Sequence, residues 1–97
     1  MNYFKKSIQI DPNYSEAYNN LGLEFNKLGE HKKAIEYFKK GIKIDPNNSY
    51  AYNSLGIVFD ELGERKKAIE YFKKGIKIDP NNSDIYWNLH SHATNIN

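Results

Sequence analysis

Asp11-Pro12-Asn13, Asp45-Pro46-Asn47 and Asp79-Pro80-Asn81 recur at a constant spacing of 34 residues. A fixed period of that size marks a chain built from stacked copies of one small supersecondary unit. The stretch 30–48, EHKKAIEYFKKGIKIDPNN, differs from the stretch 64–82 only by His31 against Arg65. Units of this kind have no single enclosed core, and each is stable when a neighbour covers its apolar face. Function is therefore expected on an extended surface rather than in a pocket.

Each period divides into two stretches with helical spacing of apolar residues. Tyr18, Leu21, Gly22 and Phe25 form the first, and Tyr52, Leu55, Gly56 and Phe59 repeat it. Leu28-Gly29 and Leu62-Gly63 close these stretches, since a glycine just past a helix can take the left-handed conformation that ends the last turn. The second stretch carries Ala34, Ile35, Phe38 and Ile42, repeated as Ala68, Ile69, Phe72 and Ile76. Pro46 and Pro80 stop it. Asn13 with Glu16, and Asn81 with Asp84, have the separation of a capping box. The pattern predicts six helices, over 2–10, 15–28, 31–44, 49–62, 65–78 and 83–94.

The ends follow the same register. MNYFKKSIQIDPN aligns with IEYFKKGIKIDPN, and SDIYWNLHSHATNIN with SYAYNSLGIVFDELG. The expected organisation is one domain over 1–97: a half unit of the second helix type (1–14), two whole units (15–48 and 49–82) and a half unit of the first type (83–97).

The remaining features narrow the function. The 97 residues suffice for one small domain, near the lower limit of about three units for such arrays. There is no cysteine, which removes disulfide and thiolate chemistry and suits a cytoplasmic location. No apolar run nears the roughly 20 residues of a membrane span, and the start lacks the apolar stretch of a secretion signal. Fourteen Lys and Arg against 12 Asp and Glu leave a formal charge of +2, too balanced to indicate nucleic acid. His90 and His92 are two apart and point to different helix faces, which speaks against a shared metal. No HExxH, Gly-rich phosphate loop or Ser/His/Asp set is present. The expected protein is non-catalytic, with no cofactor. Three N-glycosylation triplets, at Asn13, Asn47 and Asn81, are better read as turn chemistry leading into helices.

These residues resemble the tetratricopeptide repeat family from Ser15 to Asn82. The likeness rests on Leu21-Gly22 and Leu55-Gly56, Ala34 and Ala68, the aromatics Tyr18, Phe25, Phe38, Tyr52, Phe59 and Phe72, and the closing prolines. Gly41 and Gly75 stand where the family usually has a second alanine. The resemblance implies an all-α, right-handed α-solenoid of antiparallel helix pairs whose concave face, lined by first-type helices, holds a peptide or a partner's helix.

A helical wheel puts Glu16, Asn19, Leu23, Asn26 and Lys27 on that face, with Tyr50, Asn53, Ile57, Asp60 and Glu61, then Asp84, Trp87, Asn88 and Ser91. Four carboxylates accompany one lysine, while ten lysines ride the outward faces of the second-type helices as a solvated surface. The expected partner is a protein or peptide segment, neutral or basic, with apolar anchors. One family subset grips a C-terminal carboxylate with cations. The matching positions here, Asn19, Leu23, Ser54, Asp84 and Asn88, carry none, so that ligand is not expected. Asn20 and Asn88 match a second subset's backbone-binding asparagine ladder, which Ser54 interrupts. Trp87 reads either as a binding anchor or as a cap on a terminal helix. Glu36 with Lys40 and Glu70 with Lys74 have the spacing of helix-supporting pairs.

The alternative function is self-association. Tyr3, Phe4 and Ile8 of the opening half unit would meet Ile85, Tyr86, Leu89 and Ala93 of the closing one, head to tail between copies. His90 in place of the glycine that admits a partner helix counts against perfect completion.

Overall fold

The computed structural model describes residues 15–95, with side chains to His90. Among the described residues the chain is entirely helical: α1 (Ser15–Lys27), α2 (His31–Ile44), α3 (Ser49–Glu61), α4 (Arg65–Ile78) and α5 (Ser83–Asn95). Two compact units divide the chain, residues 1–47 and 48–97. The helix expected over 2–10, with Tyr3, Phe4 and Ile8, lies outside the described residues. So does the Asn13 end of the first proposed capping box.

In the first unit, Ala17, Leu21 and Phe25 repeat every four residues and bury one face of α1. Ala34 and Phe38 do the same for α2. Full burial of a phenylalanine such as Phe38 contributes about 1.5–3 kcal/mol. Gly22 lets the two helices come this close. A Cβ built there would lie 2.7–3.0 Å from the Phe38 ring. Ser15 Oγ also donates to the Gly41 carbonyl at 2.9 Å, fastening the start of α1 to the end of α2.

The turn between them is a Schellman motif. Gly29 has φ 80°, a left-handed conformation. The Glu30 N–H donates to the Phe25 carbonyl at 2.9 Å, and the Gly29 N–H to that of Asn26 at 3.0 Å. Leu28, read as the last helical residue, is therefore the cap of a helix ending at Lys27. After α2 the Asn47 N–H donates to Asp45 Oδ1 at 3.2 Å, the short-range bond that makes Asp-Pro-Asn a turn.

The second unit repeats the glycine contact and the Schellman turn and adds a helix. A Cβ at Gly56 would lie 2.4–2.8 Å from the Phe72 ring, and Gly63 has φ 81°. The Glu64 N–H donates to Phe59 at 2.8 Å and the Gly63 N–H to Asp60 at 2.9 Å. α3 starts at Asn48, whose Oδ1 accepts from the Ala51 N–H at 3.2 Å. α5 starts the same way, with Asn82 Oδ1 accepting from the Ile85 N–H at 3.2 Å. This corrects the capping box expected at Asn81 and Asp84. The cap is one residue later, which puts Ile85 rather than Asp84 at the third helical position.

Ile85 also turns inward. It is fully buried, with its Cδ1 and Cγ2 3.2 and 3.3 Å from where a Gly75 Cβ would stand. α5 thus packs against α4. No helix among the described residues is long and apolar enough to cross a membrane.

Candidate interaction surface

The first-type helices present the side chains on which a binding surface was expected, and each unit treats them differently. On α1, Glu16 and Lys27 are exposed, and Asn20, Leu23 and Asn26 are half-buried. Asn19 is a correction to its place on an open stripe. It is only 4% exposed, and its Oδ1 is buried without a hydrogen-bond partner. A wheel reports direction about the helix axis, whereas burial depends on what surrounds that direction. Asn26 Oδ1 lies 2.7 Å from His31 Nδ1, a clasp across the interhelical turn.

In the second unit the stripe is wider because two first-type helices contribute. Tyr50 and Ile57 on α3 are 55% and 40% exposed, and Trp87 on α5 is 70% exposed. Asp84 and Glu61 are also exposed, with Asp60 half-buried. Asn88 Nδ2 donates to Asn53 Oδ1 at 3.0 Å, bridging α5 to α3. Asn53 and Asn88 were both expected on this surface, but not bonded to each other. Their sequence separation of 35 is one repeat plus one residue, the signal by which the pair could have been found. Isoleucine, tyrosine and tryptophan side chains around a fixed amide pair form an apolar platform with a polar centre and acidic margins.

The expected self-association residues separate as well. Tyr86 is 53% exposed and Leu89 half-buried, whereas Ile85 is already spent inside the unit on α4. It cannot serve a following helix, which corrects its assignment. The side chain of Ala93 lies outside the described residues.

A second feature was not anticipated. Tyr37 stacks on Phe25, with ring centroids 5.2 Å apart at 8°, and on Tyr18 at 6.3 Å. Tyr71 stacks on Phe59 at 5.3 Å and 4°, and meets Tyr52 at 6.3 Å with the rings tilted by 30°. Lysines lie over each column: Lys33 over Phe25 and Lys40 over Tyr37, Lys67 over Phe59 and Lys74 over Tyr71. Lys40 and Lys74, expected to pair with Glu36 and Glu70, thus engage rings instead. Lys33 and Lys67 also meet Glu30 and Glu64 at 3.4 and 3.3 Å, on an exposed surface where such pairs contribute little. Burial pushes the Tyr71 hydroxyl above its ordinary range, against Lys67, which lowers it, and with Glu70 and Tyr52, which add to the rise.

Comparison with known proteins agrees with this geometry. The tetratricopeptide repeat family matches two adjoining stretches, residues 15–48 and 49–82. Two crystal structures of MamA are similar, at 36% identity over 84% of this chain, with TM-scores of 0.76 and 0.74. The matches cover 47% and 44% of those chains. The crystal structure of YrrB, described as a TPR protein with an unusual peptide-binding site, has a TM-score of 0.90 at 22% identity. That match covers 96% of this chain and 48% of YrrB, and at such identity it speaks to the fold. The chain spans about half the length of the solved structures it matches. No curated protein matches it. The helix pairs, the Gly-Phe contacts and the family match together make this chain a member of the tetratricopeptide repeat family.

Proposed function

We propose that the chain is a non-catalytic interaction scaffold that holds a peptide or helix of another protein along its first-type helices. The observation that carries this reading is the platform of the second unit, where Trp87, Tyr50 and Ile57 stand exposed around the Asn53–Asn88 bridge. A tryptophan open to solvent on a rigid helix is the residue type most enriched among binding anchors, and burying it against a partner releases large apolar area. Asp84, Asp60 and Glu61 at its margins favour a neutral or basic segment with apolar anchors. The fixed amide pair offers hydrogen-bonding groups where a partner's backbone would lie.

The head-to-tail alternative has narrower support: Tyr86 and Leu89 remain on the outer face of α5, but Ile85 does not.

The test is a panel of immobilised peptides of basic, neutral and acidic composition, probed with wild type, Trp87→Ala and the double variant Asn53→Ala with Trp87→Ala. Basic or neutral peptides with aliphatic or aromatic anchors should bind. The double variant should lose at least about tenfold in affinity, with unchanged helix content by circular dichroism. Equal affinity in the double variant would place the binding surface elsewhere.

A further inference from the structure

α5 is built on the plan of α3, and two of the differences between them, at positions 90 and 93, fall on the face that α3 gives to its partner helix. Both are 13-residue helices opened by an asparagine cap. In that common register Tyr86 matches Tyr52, Leu89 matches Leu55, His90 matches Gly56 and Ala93 matches Phe59. In α3 this face receives the following second-type helix. Leu55 is 0% exposed, Gly56 is buried, and the Phe72 ring stands where a Gly56 Cβ would be. On α5 the same face is open, with Leu89 half-buried and His90 exposed. The rings of Tyr86 and His90 lie across it, 4.2 Å apart.

We infer that His90 is a specificity residue which bars the chain's own second-type helix from α5 and reserves this face for a partner helix carrying a small residue at the crossing. Both described second-type helices bring phenylalanine to that crossing, at positions 38 and 72, and the sequence places Phe4 in the same register. The two described examples put the ring within 2.4–3.0 Å of a glycine's missing Cβ. That atom is fixed by the backbone, so no rotamer of His90 relieves the overlap. The second loss is independent of the first. Phe59 stacks on Tyr71 in the closed pair, and position 93 supplies alanine in its place. A second copy docking head to tail therefore meets a clash at one position and a missing ring at another. A helix with alanine or glycine opposite His90 avoids the clash. This reading concerns the outer face of α5 and stands apart from the platform around Trp87.

The experiment uses the folded chain and two synthetic peptides of residues 65–81, one with the natural sequence and one with F72A. Binding is read by calorimetric titration, and W87A, which removes the platform's anchor, should leave the preference between the two peptides unchanged. Wild type should bind the F72A peptide at least about tenfold more tightly than the natural peptide, despite the lost ring. H90G should reverse that preference, while H90A, which keeps the Cβ, should not. Light scattering over a concentration series should show mass rising for H90G and not for wild type. Should H90G lose its helix content, the preference of wild type between the two peptides decides alone. A wild type that prefers the natural peptide, or a folded H90G with no gain for it, overturns the inference.

Discussion

Glycine has two distinct tasks in each hairpin, and alanine substitutions separate them. At Gly63 nothing lies within 4 Å of an added Cβ, so Gly63→Ala is opposed only by its left-handed φ, at about 1–2 kcal/mol. At Gly56 the backbone is ordinary helix, and the opposition comes from the Phe72 ring, at about 1–3 kcal/mol of overpacking. Urea unfolding of both variants with and without Phe72→Leu distinguishes them: the smaller side chain should partly rescue Gly56→Ala and leave Gly63→Ala unchanged. Tyr71 supplies a prediction in pH. Its hydroxyl is harder to ionise when folded, so the stability it contributes is present below its ordinary value near 10. That stability is lost as pH rises through the higher folded value. Melting temperatures from neutral to strongly alkaline pH should fall more steeply for wild type than for Tyr71→Phe, and parallel curves would refute this. At this scale both glycine roles were legible, because Leu-Gly inside a helical pattern and Leu-Gly at its end mean different things. The burial of Asn19 was not legible, since nothing in a polar residue on a polar stripe signals enclosure.

Among elements, α5 depends most on its cap. It packs on α4 over a smaller face than α3 does, so its first turn draws a larger share of stability from Asn82. Asn82→Ala should cost about 1 kcal/mol and speed amide exchange at Ile85, while Asn81→Ala should do neither. Equal effects from the two would return the cap to Asn81. The helices themselves could be read from spacing, glycine and proline, with ends one residue from those observed at Lys27, Glu61 and Asn95. The cap was misplaced for a plain reason. Two adjacent asparagines both satisfy the preference, and only backbone geometry chooses between them.

For the whole molecule, charge is arranged by helix type rather than by net excess. Lys32, Lys39, Lys43, Lys66, Lys73 and Lys77 are exposed on second-type helices, and Asp84 and Glu61 beside the Trp87 platform. A basic peptide bound at the platform should lose affinity as salt is raised through the physiological range, whereas a neutral peptide should not. Calorimetric titration at two ionic strengths measures the difference. The acidic margin and its aromatic anchors were visible in sequence as a periodic stripe. The Asn53–Asn88 bond and the lysine-covered ring columns were not, because they join residues of different helices whose juxtaposition only the packed hairpin creates.

The contact between Gly22 and Phe38 has a consequence beyond stability, because Gly56 and Phe72 make the same contact with nearly identical flanking residues. Lock and key are duplicated, so the key of either hairpin fits the lock of the other. Correct pairing then falls to the turns: residues 28–30 and 62–64 close on a left-handed glycine, a device that the Asp-Pro-Asn turn joining α2 to α3 lacks.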